Sequence, residues 1–94
     1  MKGGSYELFC SSLARGMELE FKYKGITYFV QGYHGHGTPH ELYLEQTDPL
    51  NPDRYLAVSD LIDYRGCAEK LRKIKFFDGQ CLDEIEQDVI WTEG

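Results

Sequence analysis

The stretch Met17-Glu-Leu-Glu-Phe-Lys-Tyr-Lys-Gly-Ile-Thr-Tyr-Phe-Val-Gln-Gly-Tyr33 decides the fold. Apolar and polar residues alternate up to Tyr23, the period of a half-buried strand. Lys24-Gly25 is a two-residue turn signal, so Tyr23 and Ile26 flank the turn. Phe21 then faces Tyr28, and Leu19 faces Val30. These six side chains share one face of a hairpin. The other face carries Glu18, Glu20 and Lys22 opposite Gln31, Phe29 and Thr27. A slip of one residue would put Leu19, Phe21 and Tyr23 in water, so the register is strongly specified.

Outward from the hairpin, the N-terminal side reads as a helix. Ser5 is a capping residue, and Tyr6, Phe9, Cys10 and Leu13 follow the i, i+3, i+4, i+7 spacing of one apolar stripe. The helix ends near Ala14, with Gly16 suited to a left-handed position after it. Met1 to Ser5 is a short polar leader with no apolar run behind it, and residues 1–4 read as flexible rather than as a signal peptide.

On the C-terminal side, Gly32 to Pro39 is a glycine-rich connection. His40 to Gln46 alternates again, with Leu42 and Leu44 on one face and Glu41, Tyr43 and Glu45 on the other. Asp48-Pro-Leu-Asn-Pro-Asp53 reads as a turn by its Asp, Asn and Pro content. Arg54 to Val58 reads as a fourth strand with Leu56 and Val58 inward. The connections are too short for crossover helices, so the sheet is an antiparallel meander. From Ser59 the spacing of Leu61, Ile62, Cys67, Ala68 and Leu71 predicts a second helical region. Gly66 leaves open whether residues 59–73 make one helix or two. Asp78 is placed to cap a last helix, with Cys81, Leu82, Ile85 and Val89 on one face and Ile90 and Trp91 at its end.

The expected fold is therefore α+β in one domain, residues 1–94. A four-stranded antiparallel meander carries an N-terminal helix and two or three C-terminal helices on one face. Its other face is mixed, with Phe29 and Tyr43 among charges.

The composition narrows function by exclusion. Ninety-four residues allow one modest core, and 41% apolar content is ordinary for a globular chain. Ten basic against sixteen acidic residues give a net charge of −6, which opposes a general electrostatic grip on nucleic acid or an anionic membrane. No apolar run approaches the roughly 20 residues of a spanning helix. Cys10, Cys67 and Cys81 are an odd number, far apart and without a Cys-x-x-Cys pair, which points to a reducing cytoplasm rather than a disulfide framework.

Gly16-Met-Glu-Leu-Glu-Phe-Lys-Tyr-Lys-Gly-Ile-Thr-Tyr, together with the Gly-x-x-Leu corner in Phe77-Asp-Gly-Gln-Cys-Leu-Asp-Glu-Ile, resembles small uncharacterised proteins of Gram-positive bacteria and their phages. The resemblance covers about half of the chain. It implies a bacterial or phage cytosolic accessory protein and carries over no catalytic residue.

Three constellations invite a functional reading. His34, His36 and His40 are the only histidines and lie within seven residues. At i, i+2 on extended backbone, His34 and His36 point the same way, about 6–7 Å apart. With His40 returning from the loop they could hold Zn²⁺ or Ni²⁺, with Glu41 or Asp48 as a fourth ligand. The bland alternative is an exposed loop made flexible by Gly35 and Gly37. A Cys–His nucleophile pair is the enzymatic option, but all three cysteines sit on apolar stripes, where cysteine is a small core residue. Finally, five bases between Arg65 and Lys75 precede six acids from Asp78 onward with no base among them. The bland reading is two helix faces that attract each other. The sharper one is an acidic surface that docks on a basic partner, as an inhibitor or mimic acting on a nucleic-acid-binding protein would. The leading expectation is a non-enzymatic cytosolic protein without a cofactor, acting by protein–protein contact as a homodimer.

Overall fold

A computed structural model describes all residues from Met1 to Gly94. Helix α1, Tyr6–Leu13, is capped by Ser5, whose Oγ accepts a hydrogen bond from the Leu8 amide at 3.1 Å. Strands β1 (Leu19–Tyr23) and β2 (Ile26–Tyr33) form the expected hairpin with Leu19 opposite Val30, Phe21 opposite Tyr28 and Tyr23 opposite Ile26. Lys24 and Gly25 both have positive φ, 52° and 77°, as a primed two-residue turn requires. Strands β3 (His40–Asp48) and β4 (Leu50–Asp60) continue the antiparallel meander. Helix α2 spans Tyr64–Lys73, helix α3 spans Leu82–Ile85, and a 3₁₀ turn follows at Glu86–Asp88.

The sheet has five strands rather than four. Ile90–Glu93 leaves the helical path and forms β5, antiparallel to β1, with Trp91 opposite Phe21 and Ile90 opposite Lys22. The strand order is β4-β3-β2-β1-β5. Ile, Trp and Thr are strand formers, and β1 would otherwise be a bare edge beside the core. Residues 1–4, expected to be loose, are tied to this strand. The Lys2 amide donates to the Val89 carbonyl at 2.9 Å, and the Trp91 amide donates to the Lys2 carbonyl at 2.8 Å.

Three further expectations are corrected. The turn after β3 is shorter than Asp48–Asp53: strand pairing resumes at Leu50 opposite Thr47, and an irregularity between Glu45 and Gln46 absorbs the residues before Tyr55. Residues 59–73 hold one helix, which starts at Tyr64 under an Asp63 cap, with Gly66 inside its first turn rather than breaking it. Leu61 and Ile62 precede that helix and stand in solvent, 85% and 81% exposed. Asp78 does not cap the last helix. It sits with Gly79 in a positive-φ turn, and Cys81 takes the cap position, its amide donating to Glu84 Oε1 at 3.0 Å.

All three helices lie on one face of the sheet, and the core fills the space between. Phe9 of α1 meets Phe21 edge-on at 5.6 Å and Trp91 at 5.4 Å. Phe21 stacks on Tyr28 at 5.4 Å, and Phe77 packs edge-on against both Tyr23 and Tyr28. Cys67, Ala68 and Leu71 of α2 are buried together with Leu42 and Leu44 of β3 and Val58 of β4. No helix is long and apolar enough to cross a membrane.

Candidate protein-interaction surface

Strand alternation that buries Phe21, Tyr28 and Leu44 turns a second set of side chains outward, onto a face that no helix covers. Across the strands, one row runs Glu20, Phe29, Glu45, Tyr55. The next runs Gln31, Tyr43, Ala57, and the third Tyr33, Glu41, Ser59. Directly opposite residues on one face have Cβ atoms about 4.5–5.5 Å apart, so each ring touches a carboxylate neighbour or another ring. Tyr43 and Tyr55 are stacked at 5.5 Å with planes 13° apart. Tyr55 is 53% and Tyr33 51% exposed, high for rings of that size. Gln31 Nε2 donates to Tyr33 Oη at 2.5 Å and fixes that ring on the face. Partial loss of solvent, followed by the negative fields of Tyr55, Glu45, Tyr33 and Glu41, pushes the Tyr43 hydroxyl above its ordinary range.

The face is also electrostatically unbalanced. Alternation places Glu18, Glu20, Glu41 and Glu45 on it and one base, Lys22. The ion pairs of the chain lie elsewhere: Arg72–Asp83 at 2.8 Å, Lys75–Glu84, Lys70–Asp60 at 3.6 Å and the Met1 amine with Glu86 at 3.1 Å. None of the open-face carboxylates takes part in one.

Three of the six C-terminal acids, Asp83, Glu84 and Glu86, are engaged inside the chain. Asp83 accepts from Tyr6 Oη at 2.5 Å and Arg72 Nε at 2.8 Å. Burial alone would raise its carboxyl, and the bonds from Arg72 and Tyr6 outweigh it and hold the group below the carboxylate range. Glu84, bonded by Lys75 and the Cys81 amide, is held down to about 2. These pairings leave Asp78, Asp88 and Glu93 as the acids of this end that take part in no ion pair.

The three histidines do not converge. His34 and His40 stack face to face at 3.7 Å with planes 14° apart, and His40 meets the Tyr64 ring edge-on at 4.8 Å. Imidazole lone pairs lie in the ring plane, so stacked rings point them side by side rather than at one ion. His36 stands apart in the exposed loop, and no group of three or more His, Cys, Asp or Glu side chains is assembled to hold a metal ion. His40 Nδ1 is buried without a hydrogen-bond partner.

The cysteines are not presented as nucleophiles. Cys67 and Cys81 are buried, and burial pushes the thiols of Cys10 and Cys67 up, away from the reactive thiolate. Cys67 Sγ reaches the His40 backbone carbonyl at 3.3 Å, an acceptor that cannot take a proton from it as a base would.

Sequence reasoning picked out Phe29 and Tyr43 but missed Tyr33 and Tyr55. The signal for Tyr55 was present, since Leu56 and Val58 inward forces Tyr55 and Ala57 outward. The Leu61–Ile62 tip is exposed although its apolar residues fit a helical core stripe in sequence. It borders an open groove of about 410 Å³ with Pro39, Ser59, Asp60 and Lys70. No protein-family model matches the chain, and no curated protein and no solved structure is significantly similar to it.

Proposed function

We propose that the chain is a non-enzymatic accessory protein that works by protein–protein contact, through the open face of its sheet. The observation that carries this reading is the uncovered ring cluster of Phe29, Tyr33, Tyr43 and Tyr55. Tyrosine is favoured at contact surfaces because it offers a large, rigid apolar area with a polar tip and loses little conformational freedom on binding. The burial of Cys67 and Cys81, with Cys67 Sγ on the His40 backbone carbonyl rather than on an imidazole nitrogen, favours contact over catalysis. A homodimer is the form of this reading in which the occupant is a second copy.

The experiment is parallel affinity capture from the native host with the wild type, Tyr43→Ser/Tyr55→Ser and the helix-side control Glu69→Gln, together with light scattering of each. A partner, or a mass of twice 10.9 kDa, seen with the wild type and the control but lost with the tyrosine variant, is the expected result. Capture and mass that are the same for all three would overturn the reading.

A further inference from the structure

We infer that the open sheet face takes a cationic peptide segment, with arginine side chains laid on Tyr43 and Tyr55 and paired with Glu41 and Glu45. The inference rests on the contact reading above and specifies its partner.

The chain already uses such an arrangement internally. Arg72 lies over the Tyr6 ring at 5.8 Å while its Nε and Nη2 donate to the Asp83 carboxylate at 2.8 and 3.4 Å. Arg54 lies over the Phe76 ring at 4.1 Å and donates to the Phe76 carbonyl. A ring beside an acceptor is thus filled by a guanidinium at both places. The open face repeats the ring-and-carboxylate arrangement three times, at Tyr55 beside Glu45, Phe29 beside Glu20 and Glu45, and Tyr33 beside Glu41. There the guanidinium is missing, because Lys22 is the only base on that face. A guanidinium is planar, stacks on rings and pairs with carboxylates through a rigid fork, so it suits these sites better than an ammonium.

Charge also selects against the other occupants. A second copy docked face to face would bring together two faces that each carry Glu18, Glu20, Glu41 and Glu45 against one base, a net like-charge contact that costs rather than binds. Pairing through the β4 edge is impeded as well. Pro52 lacks a donor, the irregularity before Tyr55 bends the strand, and Lys70 Nζ already occupies the Ser59 carbonyl at 2.6 Å. Nucleic acid and anionic lipid carry the same sign as the face.

Calorimetry with capped hexa-arginine, hexa-lysine and hexa-glutamate peptides at low ionic strength tests this. Hexa-arginine should bind one to one, more tightly than hexa-lysine by roughly threefold or more, and hexa-glutamate should not bind. Glu41→Gln/Glu45→Gln should weaken arginine binding by roughly three- to tenfold, the range expected for two exposed ion pairs. Tyr55→Ser should weaken it by about twofold or more. The charge-matched pair Glu69→Gln/Asp88→Asn should change it by less than about twofold. Equal weakening by the two charge-matched pairs would mean diffuse attraction to an acidic protein and would overturn the inference. Absence of arginine binding, with a wild-type dimer that Tyr55→Ser dissociates, would also overturn it while leaving the contact face standing. Arginine binding that no open-face variant alters would remove both.

Discussion

Phe21→Ala is the substitution that tests the face assignment. Phe21 is fully buried and sits where α1, the hairpin and the Phe76–Phe77 segment meet. Its ring lies 5.6 Å from Phe9, 5.4 Å from Tyr28 and 6.2 Å from Phe77. Truncation loses the transfer free energy of the ring and leaves a cavity among side chains held by other contacts, a combination that costs about 3–5 kcal/mol. The three ring–ring contacts place Phe21 toward the upper end, since such pairs add about 0.5–1.5 kcal/mol each beyond area burial. A domain of this size has about 5–14 kcal/mol to lose, so the variant should be folded but close to its limit. Each kcal/mol shifts the melting temperature by about 4–8 °C at this length, so a drop of more than about 12 °C is expected. Tyr55→Ser removes a ring of similar size from the opposite face and should stay within about 0.5 kcal/mol of the wild type. Urea titration by far-ultraviolet circular dichroism reads both. A loss below about 1 kcal/mol for Phe21→Ala, or a larger loss for Tyr55→Ser, would refute the assignment of core and open faces.

Three other outcomes follow from the packing and the buried charges. Asp83 has a lowered folded pKa, so the unfolded chain binds this proton more tightly; its contribution is full above the unfolded carboxylate range, near pH 4, and drains as pH falls further. Urea midpoints at pH 7, 5 and 3 should therefore fall mainly between 5 and 3, and Asp83→Asn should flatten that fall. Gly32→Ala would put a Cβ 2.7 Å from the Gly16 carbonyl oxygen and 2.8 Å from the Tyr64 ring, and should cost about 1–3 kcal/mol by differential scanning calorimetry. Cys67 and Cys81 should react with Ellman's reagent only under denaturing conditions, because both are buried; rapid reaction of three thiols in the native protein would contradict the packing of α2 and α3.

The central hairpin was legible because two independent signals agree there, the period-2 pattern and the Lys24-Gly25 turn pair, whose residues both take positive φ in the fold. Leu42, Leu44 and Val58 followed by the same alternation. The fifth strand was hidden because Val89-Ile-Trp is a short continuous apolar run, equally consistent with a helix end, and its partners are β1 and Lys2, some seventy and ninety residues away. Leu61 and Ile62 are apolar without being buried, because a helix capped by Asp63 starts only after them. Part of the charge pattern was legible: the attraction between the basic and acidic C-terminal segments is present as Arg72–Asp83 and Lys75–Glu84. Which acids lack a base was not, since Glu20, Glu41 and Glu45 on the sheet pair with none. Charge pairing is a tertiary property, so local sequence shows how many acids there are and not which of them are spare.

The central claim is that the uncovered sheet face is where this protein meets its partner. Two-dimensional ¹H–¹⁵N NMR of the 94-residue chain, titrated with the hexa-arginine peptide, reads this most directly. Saturable shifts should concentrate at Phe29, Gln31, Tyr33, Glu41, Tyr43, Glu45 and Tyr55. Shifts centred instead on α2, on the Leu61–Ile62 tip or on the C-terminal acids would contradict it.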